Sequence, residues 1–235
     1  MSSKKNKIVA KKNLIKIEPV TENQEIAFEE YSKGQNLFLY GAAGTGKTFV
    51  SLYNALKDVL DERSVYERVI IVRSAVPTRD IGFLPGDEED KTILFQTPYQ
   101  NMVQFMFEMP TEQAFMGLYD QLKRQDTILF LTTSFLRGVT LDNSIVIVDE
   151  CQNLTFGELD TIMTRIGQNS KITFCGDFFQ TDLTKEKDKE GMARFISILQ
   201  KIEQFSLVEF AIGDIVRSGL VRDYLINKIK LGIDF

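Results

Sequence analysis

One loop constrains this chain more than any other feature. Gly41-Ala42-Ala43-Gly44-Thr45-Gly46-Lys47-Thr48 follows the apolar run Leu37-Phe38-Leu39-Tyr40 and opens a helical pattern over 47–60. Its glycines let the backbone curl so that successive N–H groups point inward, a geometry that cradles phosphate. The N-terminus of the following helix adds partial positive charge at the same place. Lys47 is then positioned to reach the β- and γ-phosphates of a nucleoside triphosphate, and Thr48 to bind Mg²⁺ through its hydroxyl. Gly41, Ala42, Ala43, Gly44, Thr45, Gly46, Lys47, Thr48 and Phe49 are the expected nucleotide-binding residues.

A strand–loop–helix start commits the rest of the chain to an α/β arrangement. Short apolar runs predict strands at Asn36–Tyr40, Arg68–Arg73, Thr127–Thr132, Ser144–Val148, Lys171–Cys175 and Leu207–Ile212. Continuous apolar runs of this kind belong to strands covered on both faces. Helical patterns lie near Glu22–Ser32, Lys47–Leu60, Thr111–Arg124, Phe156–Ile166, Gly191–Gln204 and Asp214–Leu231, the last with Val216, Leu220 and Tyr224 four apart on one face. Alternation predicts an α/β domain with a mostly parallel central sheet and helices on both faces. The 235 residues fit one such domain over 17–235. Residues 1–16 carry six lysines and no acid, and are expected as a mobile basic arm, either a solubilising tail or a nucleic-acid contact. Ser74–Lys91, with Pro77, Gly82, Pro85, Gly86 and the run Asp87-Glu88-Glu89-Asp90, reads as a long irregular segment.

Ile145-Val146-Ile147-Val148-Asp149-Glu150 is an apolar strand ending in two carboxylates. Ligands of open α/β sheets bind beyond the carboxyl ends of the strands. Asp149 is therefore expected to hold Mg²⁺, directly or through water, and Glu150 to orient and deprotonate an attacking water. The alternative is that the two acids cap the next helix. An Asp-Glu pair favours hydrolysis over a kinase reaction, where water must not be activated. The Asn-Lys-x-Asp pattern of guanine specificity is absent. A third strand ends in Cys175-Gly176-Asp177-Phe178-Phe179-Gln180. Gln180 is a candidate γ-phosphate or water sensor, or else a surface glutamine beyond a Gly-Asp turn.

Composition removes other chemistries. The chain has no histidine, so histidine bases, triads and metal sites are excluded. Cys151 and Cys175 lack the spacing and number of a zinc site and suit a reducing compartment. With 28 Lys+Arg against 33 Asp+Glu, the net charge of −5 provides no overall basic footprint for nucleic acid. No apolar run has the length of a signal core or a membrane span. A cytoplasmic protein of a bacterial cell or a phage-infected host is expected, the abundance of Lys, Ile and Asn pointing to an AT-rich bacterial or phage genome.

The order of these motifs, with Val72-Arg73-Ser74-Ala75-Val76, Gly82-Phe83-Leu84-Pro85-Gly86, Phe135-Leu136-Arg137-Gly138-x-Thr140-Leu141, Asp149-Glu150-Cys151-Gln152-Asn153, Thr164-Arg165-Ile166-Gly167 and Asp214-Ile215-Val216-Arg217, resembles the PhoH-like family of P-loop ATPases over about residues 24–225. The motif order also resembles the cores of superfamily-one helicases. The resemblance implies a single RecA-like P-loop NTPase domain, ATP hydrolysis, a link to RNA or single-stranded nucleic acid, and ring-shaped oligomers. It implies that Gln24 reads adenine, against the alternative of a solvated residue at a helix start. It also implies that Arg217 is an arginine finger, against that of an ordinary basic helix residue. Family members often carry Ala where Cys151 stands and His where Ser218 stands, so a role for that histidine has no carrier here.

One P-loop in one domain leaves an arginine finger to this chain's C-terminal segment or to a neighbour. A head-to-tail contact that closes makes a ring, so a homo-oligomer, a hexamer with Arg217 acting in trans, is expected. Two functions follow. One is a motor on RNA or single-stranded DNA, contacted by Arg73, Arg79 and Arg137. The other is a nucleotide-gated binding module that acts on a protein partner without unwinding.

Overall fold

The computed structural model describes residues 11–74, 88–136, 138–177 and 186–231. Six strands form one sheet: β1 (Asn36–Gly41), β2 (Arg68–Arg73), β3 (Ile128–Thr132), β4 (Ser144–Val148), β5 (Lys171–Gly176) and β6 (Phe205–Phe210). Their spatial order is β3-β2-β4-β5-β1-β6 and every pair is parallel.

Strand side chains alternate between two cores. Leu37, Leu39, Val69, Ile71, Ile145 and Ile147 face the first, packed by α1 (Glu22–Ser32), α2 (Lys47–Val59), α3 (Glu88–Phe107) and α4 (Glu112–Arg124). Phe38, Ile70, Val72, Val146, Val148 and Phe174 face the second, packed by α5 (Phe156–Met163) and α6 (Glu186–Leu199). Both faces are thus covered, which is why the strands read as unbroken apolar runs. The helices start on threonine caps whose hydroxyls accept from the first turn: Thr21 before α1, Thr111 before α4 and Thr155 before α5, the last in a capping box with Glu158. The expected fold, a RecA-like P-loop NTPase domain with helices on both faces of a parallel sheet, is the one observed.

Several boundaries differ. Helix α3 was not among the expected helices, and its start overlaps the segment read as irregular. It carries Pro98 internally, a residue that removes one helical donor and usually ends a helix. The last helix begins at Gly219 rather than Asp214, because Ile212–Asp214 form a 3-10 turn and Ile215 and Ser218 are extended; it is α7 (Gly219–Lys230). Strand β6 ends at Phe210, two residues short of Ile212, and α6 lies five residues earlier than its pattern suggested.

Residues 11–16 of the basic N-terminal stretch are docked, not free. The Lys11 amide donates to the Leu60 carbonyl at 3.2 Å and the Ile15 amide to that of Met106 at 2.9 Å. Leu14 and Ile17 pack against the first core, so apolar residues between the lysines tie the chain down. Among the described residues no helix is long and apolar enough to cross a membrane.

Candidate nucleotide site

The strand order fixes the site. β5 lies between β1, which delivers the phosphate loop, and β4, which delivers the acids; Tyr40 pairs with Gly176 and Val148 with Phe174. The loop, Asp149, Glu150 and Asp177 therefore emerge side by side at the carboxyl edge of the sheet. They line a cleft of about 1030 Å³, at the upper end of the roughly 300–1,000 Å³ usual for small-molecule sites.

Gly41 ends β1 with φ 116°, and a Cβ there would lie 2.1 Å from the Phe210 carbonyl oxygen. Only glycine lets the loop leave the sheet this close to β6; the next amide, Ala42, donates to that same carbonyl at 3.0 Å. Ala43 to Phe49 line the cleft, and α2 begins at Lys47 behind the left-handed Gly46. The Lys47 ammonium is 8% exposed and donates to the carbonyls of Gly41 (3.0 Å) and Ala42 (2.7 Å) and to Thr45 Oγ1 (3.3 Å). Its three donors are satisfied by the loop itself, so reaching a phosphate exchanges those acceptors for phosphate oxygens. Burial lowers its pKa, opposed by the negative charges of Asp177, Glu150 and Asp149 and by Cys175.

Across the cleft, Thr48 Oγ1 donates to Asp149 Oδ1 at 2.7 Å. The hydroxyl's proton is committed to the carboxylate, which leaves its oxygen lone pairs for a cation. A hydroxyl, a carboxylate and phosphate oxygens form the hard-oxygen set that Mg²⁺ prefers, completed by water rather than by a protein cage. Among the described residues no group of three or more His, Cys, Asp or Glu side chains is arranged to hold a metal. The residues present fit the ion.

Glu150 follows in the left-handed region, φ 51°, a conformation that costs a non-glycine residue and recurs at functional sites. Its carboxylate accepts from Gln152 Nε2 at 2.5 Å, and Gln152 Oε1 accepts from the Asp177 amide at 3.0 Å. One buried glutamine thus ties the acidic strand end to the Gly176-Asp177 turn. Burial raises the Glu150 pKa, as does Asp149, while the Gln152 bond, Arg73 and Lys47 oppose the rise. A carboxylate biased toward holding a proton is suited to accept one.

The structure gathers most of the expected residues and moves others. Gln24 is buried, not solvated: Oε1 accepts from the Val20 amide at 3.0 Å and Nε2 donates to the Thr45 carbonyl at 2.9 Å, bracing the loop. Arg73, expected on nucleic acid, lines the cleft, because β2 pairs with β4 and ends beside it. Arg217, expected to act in trans, lines the cleft of its own chain. The Val216 amide donates to the Gly44 carbonyl at 3.0 Å, and a Cβ on Gly44 would lie 2.8 Å from Arg217 Cγ. Gln180, Arg79, Arg137 and the Gly82–Gly86 string lie outside the described residues.

Two residues had no expected role. Asp177, 7% exposed, lines the cleft near Lys47; its signal was present in the Gly176-Asp177 string. Tyr99 of α3 donates to Asp149 Oδ2 at 2.6 Å. Burial, then the Asp149 charge, push its phenol far above the usual tyrosine range, so it stays a donor.

Comparison with known proteins shows the family to which the chain belongs. The family model described as PhoH-like protein matches residues 16–228. A PhoH-like protein of Synechocystis is 34% identical over 79% of this chain and 54% of its own length. One from Bacillus subtilis is 30% identical over 90% of this chain and 63% of its own. The chain thus spans a little over half the length of such relatives. Among solved structures, the large terminase of a thermophilic bacteriophage, in complex with ADP, superposes with TM-score 0.50 at 11% identity, covering 90% of this chain and 50% of that one. That likeness is one of fold.

Proposed function

From the premise that this chain belongs to the PhoH-like protein family, we propose that it binds ATP with Mg²⁺ in the strand-end cleft and hydrolyses it. The observation that carries this reading is the Thr48–Asp149 hydrogen bond with Glu150 next in sequence: one bond joins the phosphate-loop helix to the acidic strand end. The backbone amides of 41–48 and Lys47 bind the phosphates, and Thr48 and Asp149 hold the metal. Held there, the ion would supply neutralisation of the phosphate charge. Glu150 accepts the proton of a water that attacks the γ-phosphorus. The bond from that phosphorus to the bridging oxygen breaks, leaving ADP and inorganic phosphate. Arg73 and Arg217 offset negative charge that develops on the phosphoryl oxygens, and Gln180 senses them. Gln24 and Phe49 bound the nucleoside side. The ADP in the phage terminase of the same fold agrees with a nucleotide here.

We further propose that hydrolysis drives movement on RNA or single-stranded DNA, in a closed ring of identical chains, expected as a hexamer. Light scattering that finds only single chains, with and without nucleotide, would sink the ring.

Steady-state hydrolysis of ATP, with and without single-stranded RNA, tests both claims. Glu150→Gln is expected to lower turnover by roughly 10²–10⁴-fold, the usual contribution of a positioned base, with ATP binding kept. Unchanged turnover in that variant refutes the base assignment. RNA stimulation that fades with salt supports the motor; its absence favours the nucleotide-gated module acting on a protein.

A further inference from the structure

Asp149 is held at both ends. Thr48 Oγ1 donates to Oδ1 at 2.7 Å, and Tyr99 Oη to Oδ2 at 2.6 Å. The first contact joins neighbours on the two sides of the cleft. The second comes from α3, a helix outside the recognised motifs. Tyr99 is 2% exposed, and its ring lies 5.5 Å from that of Phe130 on β3 at 58°. Ring and hydroxyl are therefore fixed together, between the sheet edge and the acid.

We propose that Tyr99 is a positioning residue for the metal: its hydroxyl holds the Asp149 carboxylate in the one orientation that directs it, with Thr48, at a nucleotide-bound divalent cation. The inference rests on the ATP–Mg²⁺ reading above. The geometry argues for more than a satisfied buried phenol. A carboxylate on a strand end can turn about its side-chain torsions, and with one hydroxyl bond it would keep that freedom. Two short bonds to two different oxygens, from two elements that do not share a loop, remove it. Turning Asp149 would break both bonds at once. Hydrogen bonds of this outer kind, from a buried partner to a metal-ligating side chain, commonly set metal affinity by 10–100-fold, roughly the effect expected here. Tyr99 does not touch the nucleotide phosphates in this account. It acts through Asp149, so its loss should alter the need for metal before it alters nucleotide binding itself.

The test compares the wild type with Tyr99→Phe, which keeps the ring and removes only the hydroxyl. Binding of a fluorescent ATP analogue is followed in EDTA and during a Mg²⁺ titration. The expected result is unchanged affinity in EDTA and a Mg²⁺ half-saturation raised by about 10-fold or more. Equal half-saturation in the two proteins overturns the proposal. Phe130→Leu supplies the second arm, since it loosens the ring and keeps the hydroxyl bond. It is expected to lower Tm and leave the Mg²⁺ half-saturation where it was. If it raises the Mg²⁺ requirement as much as Tyr99→Phe does, packing rather than the hydroxyl sets the site, and the proposal fails. A wild-type protein that binds no nucleotide at all would instead remove the ATP reading, and this inference with it.

Discussion

In the nucleotide cleft the polar side chains are buried, while along α7 several large apolar ones are exposed. Lys47, Asp149 and Asp177 are 8%, 7% and 7% exposed; Leu220 and Tyr224 are 86% and 63%. No residue of α7 counts as buried. Each half inverts the usual distribution, for different reasons. In the cleft, Lys47, Thr48, Tyr99, Asp149, Glu150 and Gln152 all have hydrogen-bond partners, so burial leaves these groups satisfied. Such networks are costly to interrupt, because a deleted partner strands a buried group. On α7 little is at stake in the isolated chain. The two regions should therefore respond very differently to single substitutions, and four substitutions test that contrast.

Gly41→Ala should have the largest effect. The residue sits at φ 116°, and the new Cβ would meet a backbone oxygen of β6 at 2.1 Å. A flexible side chain could move aside; the Phe210 carbonyl cannot without parting β1 from β6. Backbone strain of ~1–3 kcal/mol adds to that clash. A total above ~4 kcal/mol would place this among the severe point mutations. At roughly 2–4 °C per kcal/mol for a domain of this size, a Tm loss of about 10 °C is the expected reading by circular dichroism. A loss of only a few degrees would mean that the loop's exit from the sheet is far softer than the cleft's packing implies.

Asp214→Asn should act less strongly, at the junction of the two regions. The Asp214 carboxylate accepts from Asn23 Nδ2 at 2.7 Å and from the Ala211 amide at 2.8 Å, fastening the start of α1 to the turn before the segment that covers Gly44. Burial pushes its pKa up, but hydrogen bonds from Thr21, Asn23 and Ala211 outweigh it and hold the net value below the ordinary 3.8. A depressed carboxylate pKa gives stability that is complete above the unfolded value and is lost as pH falls through the folded one. Asparagine keeps the shape and loses the charge, so the cost should be roughly 1.5–3 kcal/mol at neutral pH, the scale of hydrogen bonds to charged groups. The gap from wild type should close as the pH is lowered below the ordinary carboxylate value. Thermal melts across pH check this. A gap that stays constant into acid would mean that the charge of Asp214 contributes nothing.

The contrast between the regions also explains which parts of the molecule were legible in the sequence. The phosphate loop and the Asp149-Glu150 strand end were legible because each motif is local, and parallel strands bring their ends together without further information. Tyr99 was not legible. Its partner is fifty positions away in sequence, and Pro98 masked the helix that carries it. A signal existed: Tyr99, Val103, Met106 and Phe107 recur at helical spacing, and all are buried. That Arg73 ends at the cleft was not legible either, because the sequence gives the strand but not its neighbour. Only the β2–β4 pairing puts its end at the cleft. On α7 periodicity itself misled. Leu220 and Val221, then Tyr224 and Leu225, are adjacent apolar pairs, so two stripes exist, about 100° apart on a helix. The expected stripe through Val216, Leu220 and Tyr224 is exposed. The other turns inward: Leu225 and Ile229 are partly buried, and Leu225 Cδ1 would lie 3.4 Å from a Cβ on Gly44.

That assignment makes Leu220→Ser the smallest of the expected effects and the most direct probe of α7. Leu220 is the second residue of the helix, and the rule that exposed substitutions change stability by less than about 0.5 kcal/mol should hold for it. Leu225→Ser differs by five positions and about 140° of orientation, yet it removes a side chain that reaches the phosphate loop. Chemical denaturation of the two variants side by side, at protein concentrations where the chain is monomeric, reads the difference. The midpoint of Leu220→Ser should match the wild type, and that of Leu225→Ser should fall. Equal losses would show that α7 uses both stripes within one chain. A larger loss for Leu220→Ser would reverse the inner and outer faces of the helix, and would return the cover over Gly44 to the stripe that the sequence first suggested.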